Sequence, residues 1–172
     1  MEKKLVVIIN GRSGVGKATL VGIASEQFMT RDVSSIERVK KIARDVGWNG
    51  VKDLPGRQLL SDLKQALVTY DDSPHKDLIE EFKKFMTGGE QLMFVHIREP
   101  KEIQKFVSEI KGKGAKVVTL LVKRKKAYKV NLMQDEELEK FAYDLVFDND
   151  KTIKDSGTEF CRLLHGVLDS KN

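Results

Sequence analysis

The sequence predicts a three-layer α/β/α fold built on a five-stranded parallel sheet. Apolar strand-like runs alternate along the chain with amphipathic stretches of helical period, the pattern of a sheet covered on both faces. In addition, the first apolar run leads directly into a glycine-rich loop and then a helix. Parallel strands buried on both faces read as continuous apolar runs instead of alternating ones. Leu5–Asn10, Gln91–Ile97, Lys116–Val122 and Leu145–Asp148 read that way, with a shorter and weaker run near Val33–Ile36.

Each element follows from local pattern. Leu5–Asn10 is closed by the glycines of Gly11-Arg-Ser-Gly-Val-Gly-Lys17, and a helix from Lys17 to about Phe28 carries Leu20, Ile23, Ala24 and Phe28 at helical spacing. The region Glu37–Gly88 reads as mostly helical, with Leu59, Leu60, Leu63 and Leu67, then Leu78, Ile79, Phe82 and Phe85, on its buried faces. The chain is therefore expected to be one domain, with a core at 1–36 and 90–172 and a helical insertion at 37–89. An insertion over the carboxyl ends of the strands is where an open α/β sheet takes its ligand. Pro100–Gly112 presents Ile103, Phe106, Val107 and Ile110 on one face, and Gly112 and Gly114 end it.

Composition narrows the class. At 172 residues the chain has room for a full core, and 40% hydrophobic with 33% charged residues marks a globular protein. No apolar run approaches the roughly 20 residues of a spanning helix, and Met1-Glu-Lys-Lys4 leads straight into a strand. A cytoplasmic protein with no membrane partner is expected. Cys161 is the only cysteine, which excludes an intrachain disulfide and reads as a small core residue beside Phe160 and Leu164. The net charge of +5 is dispersed without an aromatic-rich patch, so a small phosphorylated partner is expected and nucleic acid is not.

The chemistry begins at the loop. Gly11, Gly16 and Lys17 satisfy G-x-x-x-x-G-K, and phosphate oxygens met by several backbone N–H groups at once require glycines where a side chain would block the approach. Lys17 adds a point charge for the β- and γ-phosphates, and the helix that follows aims its positive end at them. Gly11, Ser13, Gly14, Val15, Gly16, Lys17, Ala18 and Thr19 are the expected nucleotide-binding residues. The position that usually supplies a hydroxyl to Mg²⁺ holds Ala18. Either the loop is degenerate or Thr19 supplies the hydroxyl, with the metal relying on water and phosphates.

These residues resemble the nucleoside monophosphate kinase group of phosphate-loop proteins, and within it the subgroup of phage-type deoxynucleoside monophosphate kinase and animal-type phosphomevalonate kinase. Gly16-Lys17-Ala18-Thr19 is similar to the G-K-x-T ending of that subgroup. Asp144-Leu-Val-Phe-Asp-Asn149-Asp150, followed by Thr152, resembles its final strand and Asn-Asp turn. Trp48 to Lys52 and Arg57 to Leu60 resemble its acceptor-binding insertion. The resemblance implies ATP as donor, Mg²⁺, and a small phosphorylated acceptor, most of all a nucleoside or deoxynucleoside monophosphate. It implies Lys17, Arg98 and Arg124 as catalytic residues, Lys52, Arg57 and Arg98 as acceptor-binding residues, and Thr19 as the Mg²⁺ hydroxyl; phosphate chemistry adds Arg38 to the acceptor set. The basic run Lys123-Arg124-Lys125-Lys126 falls where the family carries a lid, about 123–136. One departure stands out: the family often has an acid two residues before the third-strand arginine, and here that place is His96, leaving Glu99 or water to substitute.

Phosphoryl transfer needs two anionic substrates held in line with cations over the migrating group, and arginine's planar fork grips phosphate best. Arg98 and Arg57 therefore lead the acceptor candidates. Asp62 reads as a residue that orders a basic side chain or binds the acceptor and equally as an exposed helix charge, Trp48 as a packing anchor ahead of a base-stacking residue, and His75 and His165 have no metal-ligand spacing. Asp53-Leu-Pro-Gly56 matches the D-x-x-G of GTPases, but it follows a polar stretch and no N-K-x-D guanine reader exists. Two alternatives remain beside the nucleotide kinase: a non-catalytic nucleotide-binding regulatory protein, and a kinase for a non-nucleotide phosphate such as phosphomevalonate.

Overall fold

The structure, a computed structural model, describes residues 3–125 and 138–170. Among these residues five strands, β1 (Leu5–Asn10), β2 (Thr30–Ser34), β3 (Leu92–His96), β4 (Lys116–Lys123) and β5 (Leu145–Asp148), form one sheet. All pairings are parallel and the order is β2-β3-β1-β4-β5. The helices are α1 (Lys17–Ser25), α2 (Glu37–Asp45), α3 (Leu54–Tyr70), α4 (Ser73–Thr87), α5 (Pro100–Ile110) and α6 (Ile153–Asp169). The expected α/β fold is observed. β1 is central because it is apolar on both faces, and every one of its six residues is buried.

Strand alternation splits the core in two. Leu5, Val7, Ile9, Leu92, Phe94 and Leu120 pack under α1 and α6 with Leu20, Phe160 and Leu164. Val6, Ile8, Met93 and Val95 pack under α4 and α5 with Phe82, Phe85, Ile103 and Phe106. Each fully buried side chain of this size contributes about 1.5–3 kcal/mol relative to exposure. Cys161 lies in the first core at 3% exposure, as its sequence neighbours imply.

Three elements differ from the sequence reading. β2 runs from Thr30 to Ser34, three residues ahead of the apolar run at Val33–Ile36. As an edge strand it is only half-buried, so its first residues are polar: Arg31 reaches Glu81 of α4 at 2.7 Å and Glu90 at 2.6 Å. Ile36 leaves the strand to become the N-cap position of α2. α1 ends at Ser25, with Phe28 still packed against the core beyond it. Finally, α4 is part of the sheet's cover, because Leu78, Ile79, Phe82 and Phe85 pack on β1 and β3. The separate helical unit is α2 with α3, joined through Val39, Ala43 and Leu60 with Trp48, Leu63 and Leu67. The expected lid at about 123–136 lies mostly outside the described residues; Lys123 ends β4, and Arg124 and Lys125 follow it, exposed.

Candidate active site

The loop between β1 and α1 bends at three glycines with positive φ: Gly11 at 148°, Gly14 at 79° and Gly16 at 94°. It is pinned from both sides. The Gly11 N–H donates to Asn10 Oδ1 at 2.9 Å, and Asn149, at the end of β5, donates Nδ2 to the Val15 carbonyl at 2.7 Å. Gly16 caps α1 with no side-chain hydrogen bond, and the first turn of α1 carries no acid, which suits an anion there. Lys17 folds over the loop, its Nζ donating to the carbonyls of Gly11 and Arg12 at 2.5 and 3.0 Å. Arg12 in turn meets Glu139 at 2.8 Å.

Asn10 ties this cradle to the end of β3. Its Nδ2 donates to the Arg98 carbonyl at 3.2 Å and to the Tyr143 hydroxyl at 2.9 Å. Burial pushes the Tyr143 phenol up to about 12, so it stays a neutral partner. Arg98 lines a cavity of ≈ 220 Å³ between α3 and α5, with Ser61, Lys64, Gln65 and Glu99. Lys64 is buried and paired with Glu99, and with Glu102 at 2.9 Å, so Glu99 is committed to closing α3 onto α5. Lys52 is surface-exposed, yet desolvation at its ammonium, then the charges of Lys40, Arg57 and Arg98, lower its pKa, with Glu37 opposing. Arg57 also donates Nε to the Lys52 carbonyl at 2.8 Å. Lys40, Lys52, Arg57 and Arg98 therefore share one field beside the carboxyl edge of β3. Arg38 is not brought to this group; its guanidinium forks onto Asp77 of α4 at 2.6 and 2.5 Å. The remaining candidates read as structure: Asp62 accepts from Gln58, Trp48 donates Nε1 to the Val51 carbonyl, His75 meets Glu109, and His165 packs on Phe28.

A second cavity, of ≈ 90 Å³, opens between α1 and the β5–α6 turn, lined by Thr19, Ile23, Arg124, Asn149, Lys151 and Ser156 among others. The Ser156 hydroxyl is buried there with no hydrogen-bond partner among the described residues. Thr19 and Arg124 thus share a cavity at the start of α1. Thr19 lies one residue along α1 from Ala18, a turn of about 100° around the helix, and lines this cavity.

No family model and no curated protein sequence matches the chain. Among solved structures it superposes on the tunicamycin resistance protein of Deinococcus radiodurans with a TM-score of 0.59 at 12% identity, covering 94% of this chain and 96% of that one. TT1252 from Thermus thermophilus gives 0.53 at 15% identity, over 96% and 98%. Shikimate kinase from Aquifex aeolicus vf5 gives 0.49 at 16%, over 95% and 96%. At such identities the likeness speaks to fold alone. The glycine loop, set between the central strand and its helix in a sheet of this order, decides which fold it is. The fold is that of the P-loop NTPases.

Within a P-loop fold the metal is commonly shared between protein and phosphates, and here the protein's share is thin. Ala18 offers no oxygen, Glu99 is held by Lys64, and no group of three or more His, Cys, Asp or Glu suited to a metal ion exists among the described residues. A Mg²⁺ here would therefore take most of its ligands from water and phosphates. No described helix is long and apolar enough to cross a membrane. Sequence reasoning missed Asn10, Lys40, Lys64 and Ser156. Their signal lies in partners far along the chain, so local pattern did not carry it; only Asn10, a polar residue ending an apolar strand, was open to notice.

Proposed function

We infer that the protein transfers a phosphoryl group from ATP to a small phosphorylated acceptor, with a nucleoside or deoxynucleoside monophosphate as the favoured class. The observation that carries this is the pairing of two anion sites across one side chain: Asn10 accepts from the P-loop and donates to the carbonyl of Arg98. Donor phosphates are assigned to the Gly11–Thr19 loop and Lys17, and the nucleoside to the cavity of Thr19, Arg124, Asn149 and Ser156. The acceptor phosphate is assigned to Arg98, Arg57 and Lys52, with Lys40 added. The charges of Lys40, Arg57 and Arg98 lower the Lys52 pKa even with Glu37 already held by Lys40 among them, and a field that positive favours a phosphate over a neutral group. Transfer then depends on alignment and charge, not on covalent chemistry by the protein. Arg124 begins the segment that would close the site, so the lid role at about 123–136 remains part of this proposal.

An ADP-release assay across nucleoside monophosphates and isoprenoid phosphates tests the reading. Turnover with one acceptor class, abolished by Lys17→Ala, supports it; Arg98→Ala should raise the acceptor KM far more than the ATP KM. Ala18 and the commitment of Glu99 to Lys64 favour a second reading, a nucleotide-binding regulatory protein. Retained ATP binding with flat ADP release would establish that one instead.

A further inference from the structure

His96 stands where an acid was expected, and neither anion site uses it. Leu92 and Phe94 enter the core under α1, while Met93, Val95 and Ile97 enter the other, so alternation puts His96 on the α1 face. In the ladder it lies one step past the Ile8–Val95 pair, abreast of the last residues of β1 before the P-loop. Thus His96 closes β3 at the same edge of the sheet from which the P-loop leaves β1, two residues before Arg98. Its Nε2 is 2.8 Å from Oδ1 of Asp32 on β2, with 24% and 51% of the two side chains exposed.

A polar contact that open contributes at most about 1 kcal/mol, so stability does not account for it. A carboxylate only accepts hydrogen bonds, so the contact fixes the proton on Nε2 and leaves the lone pair of a neutral imidazole on Nδ1. A carboxylate that orients one imidazole nitrogen so that the other can take a proton is the arrangement of a general base. Transfer onto a phosphate oxygen has no use for a base, because that nucleophile is already an anion. An alcohol keeps its proton at neutral pH and does need one.

The geometry points to an acceptor whose nucleophile is a hydroxyl, with His96, oriented by Asp32, as the base that takes its proton. This rests on the kinase reading above and names the acceptor atom: the acceptor's phosphate is the handle held by Arg98, Arg57 and Lys52, and its alcohol is the reacting group. In the step, the hydroxyl proton passes to Nδ1 as the alcohol oxygen forms a bond to the γ-phosphorus. The bond from that phosphorus to the β–γ bridging oxygen breaks, its electron pair leaves on ADP, and His96 later returns the proton to water. On a nucleoside monophosphate this is transfer to a sugar hydroxyl, giving a second monoester and not a diphosphate.

The test incubates the full chain with ATP and, in turn, dCMP, AMP, ribose 5-phosphate and glycerol 3-phosphate, with water alone as acceptor in a parallel run. Products are resolved by ³¹P NMR and released phosphate is measured. A new phosphomonoester, or phosphate release to water, that falls about 100-fold or more in His96→Gln, returns to His96→Gly with added imidazole, and drops in kcat but not ATP KM in Asp32→Asn supports the proposal. A phosphoanhydride product overturns it while the kinase reading stands. So does His96→Gln activity within about twofold of wild type, or a loss that imidazole does not rescue. If nothing is phosphorylated, water included, while ATP still binds, the kinase reading falls and this one with it.

Discussion

Gly11 has no room for a side chain. A Cβ built there lies 2.4 Å from the Val122 carbonyl oxygen, a backbone atom of β4 that cannot step aside, at φ 148°. Gly14, at φ 79°, has no atom within 4 Å of that point. Gly14→Ala should therefore cost about 1–2 kcal/mol from backbone strain alone, and Gly11→Ala clearly more, in urea unfolding; equal losses would contradict the packing argument. Ser156→Ala separates binding from stability. Its hydroxyl is buried without a partner, so removing it should leave the unfolding midpoint unchanged or raised. Nucleotide affinity should fall by about 1 kcal/mol by calorimetry, because the hydroxyl lines the cavity to which the nucleoside is assigned. The glycine pattern was legible in the sequence because it is local. That β4 presses on Gly11, or that α6 brings a hydroxyl to the cradle, was not, since neither neighbour is near in sequence.

At the scale of elements, the Asp53-Leu-Pro-Gly56 string shows how a motif can be local structure. Asp53 caps α3, accepting from the Gly56 N–H at 2.8 Å, with Pro55 in the first turn. Gly56 is small because a Cβ there would meet the Val51 carbonyl at 2.4 Å and Trp48 Nε1 at 2.8 Å. Asp53→Ala should cost about 1 kcal/mol of stability, and because Arg57 rides on that first turn it should raise the acceptor KM while leaving the ATP KM alone. Rejecting a GTPase switch from the polar residues before it was sound, but the capping role needed the structure. Likewise the apolar spacing of Leu78, Ile79, Phe82 and Phe85 marked a helix without saying what it covers. Lys4 shows the converse: it closes α4 by donating to the carbonyls of Phe85, Gly88 and Glu90 at 2.7–2.9 Å, a cation at a helix C-terminus drawn from just before β1.

Over the whole molecule, the dispersed charge of +5 is not evenly used. Lys64, Arg31, Arg38 and Lys40 are spent on carboxylates, while Lys52 stands among the charges of Lys40, Arg57 and Arg98. Its lowered pKa means that, between that value and the ordinary 10.5, the unfolded chain binds more protons, so stability rises with pH through that window. Below it the charged form is disfavoured in the fold throughout. Lys52→Met should therefore raise the Tm slightly at pH 7, the gain shrinking as pH nears 10.5, while acceptor affinity drops; a gain that grows with pH would reverse the sign. Fold class was legible because apolar runs and glycine loops are local signals. The cation cluster was legible in Lys52, Arg57 and Arg98, and not in Arg38, whose Asp77 partner sits on another helix. Asn10 carries one more consequence. A single amide spans the P-loop, the Arg98 backbone and Tyr143, so it works as a gauge block: on the proposed kinase reading, the distance between donor and acceptor sites is set before either ligand arrives, and acceptors of different size are accommodated on the side of α2 and α3.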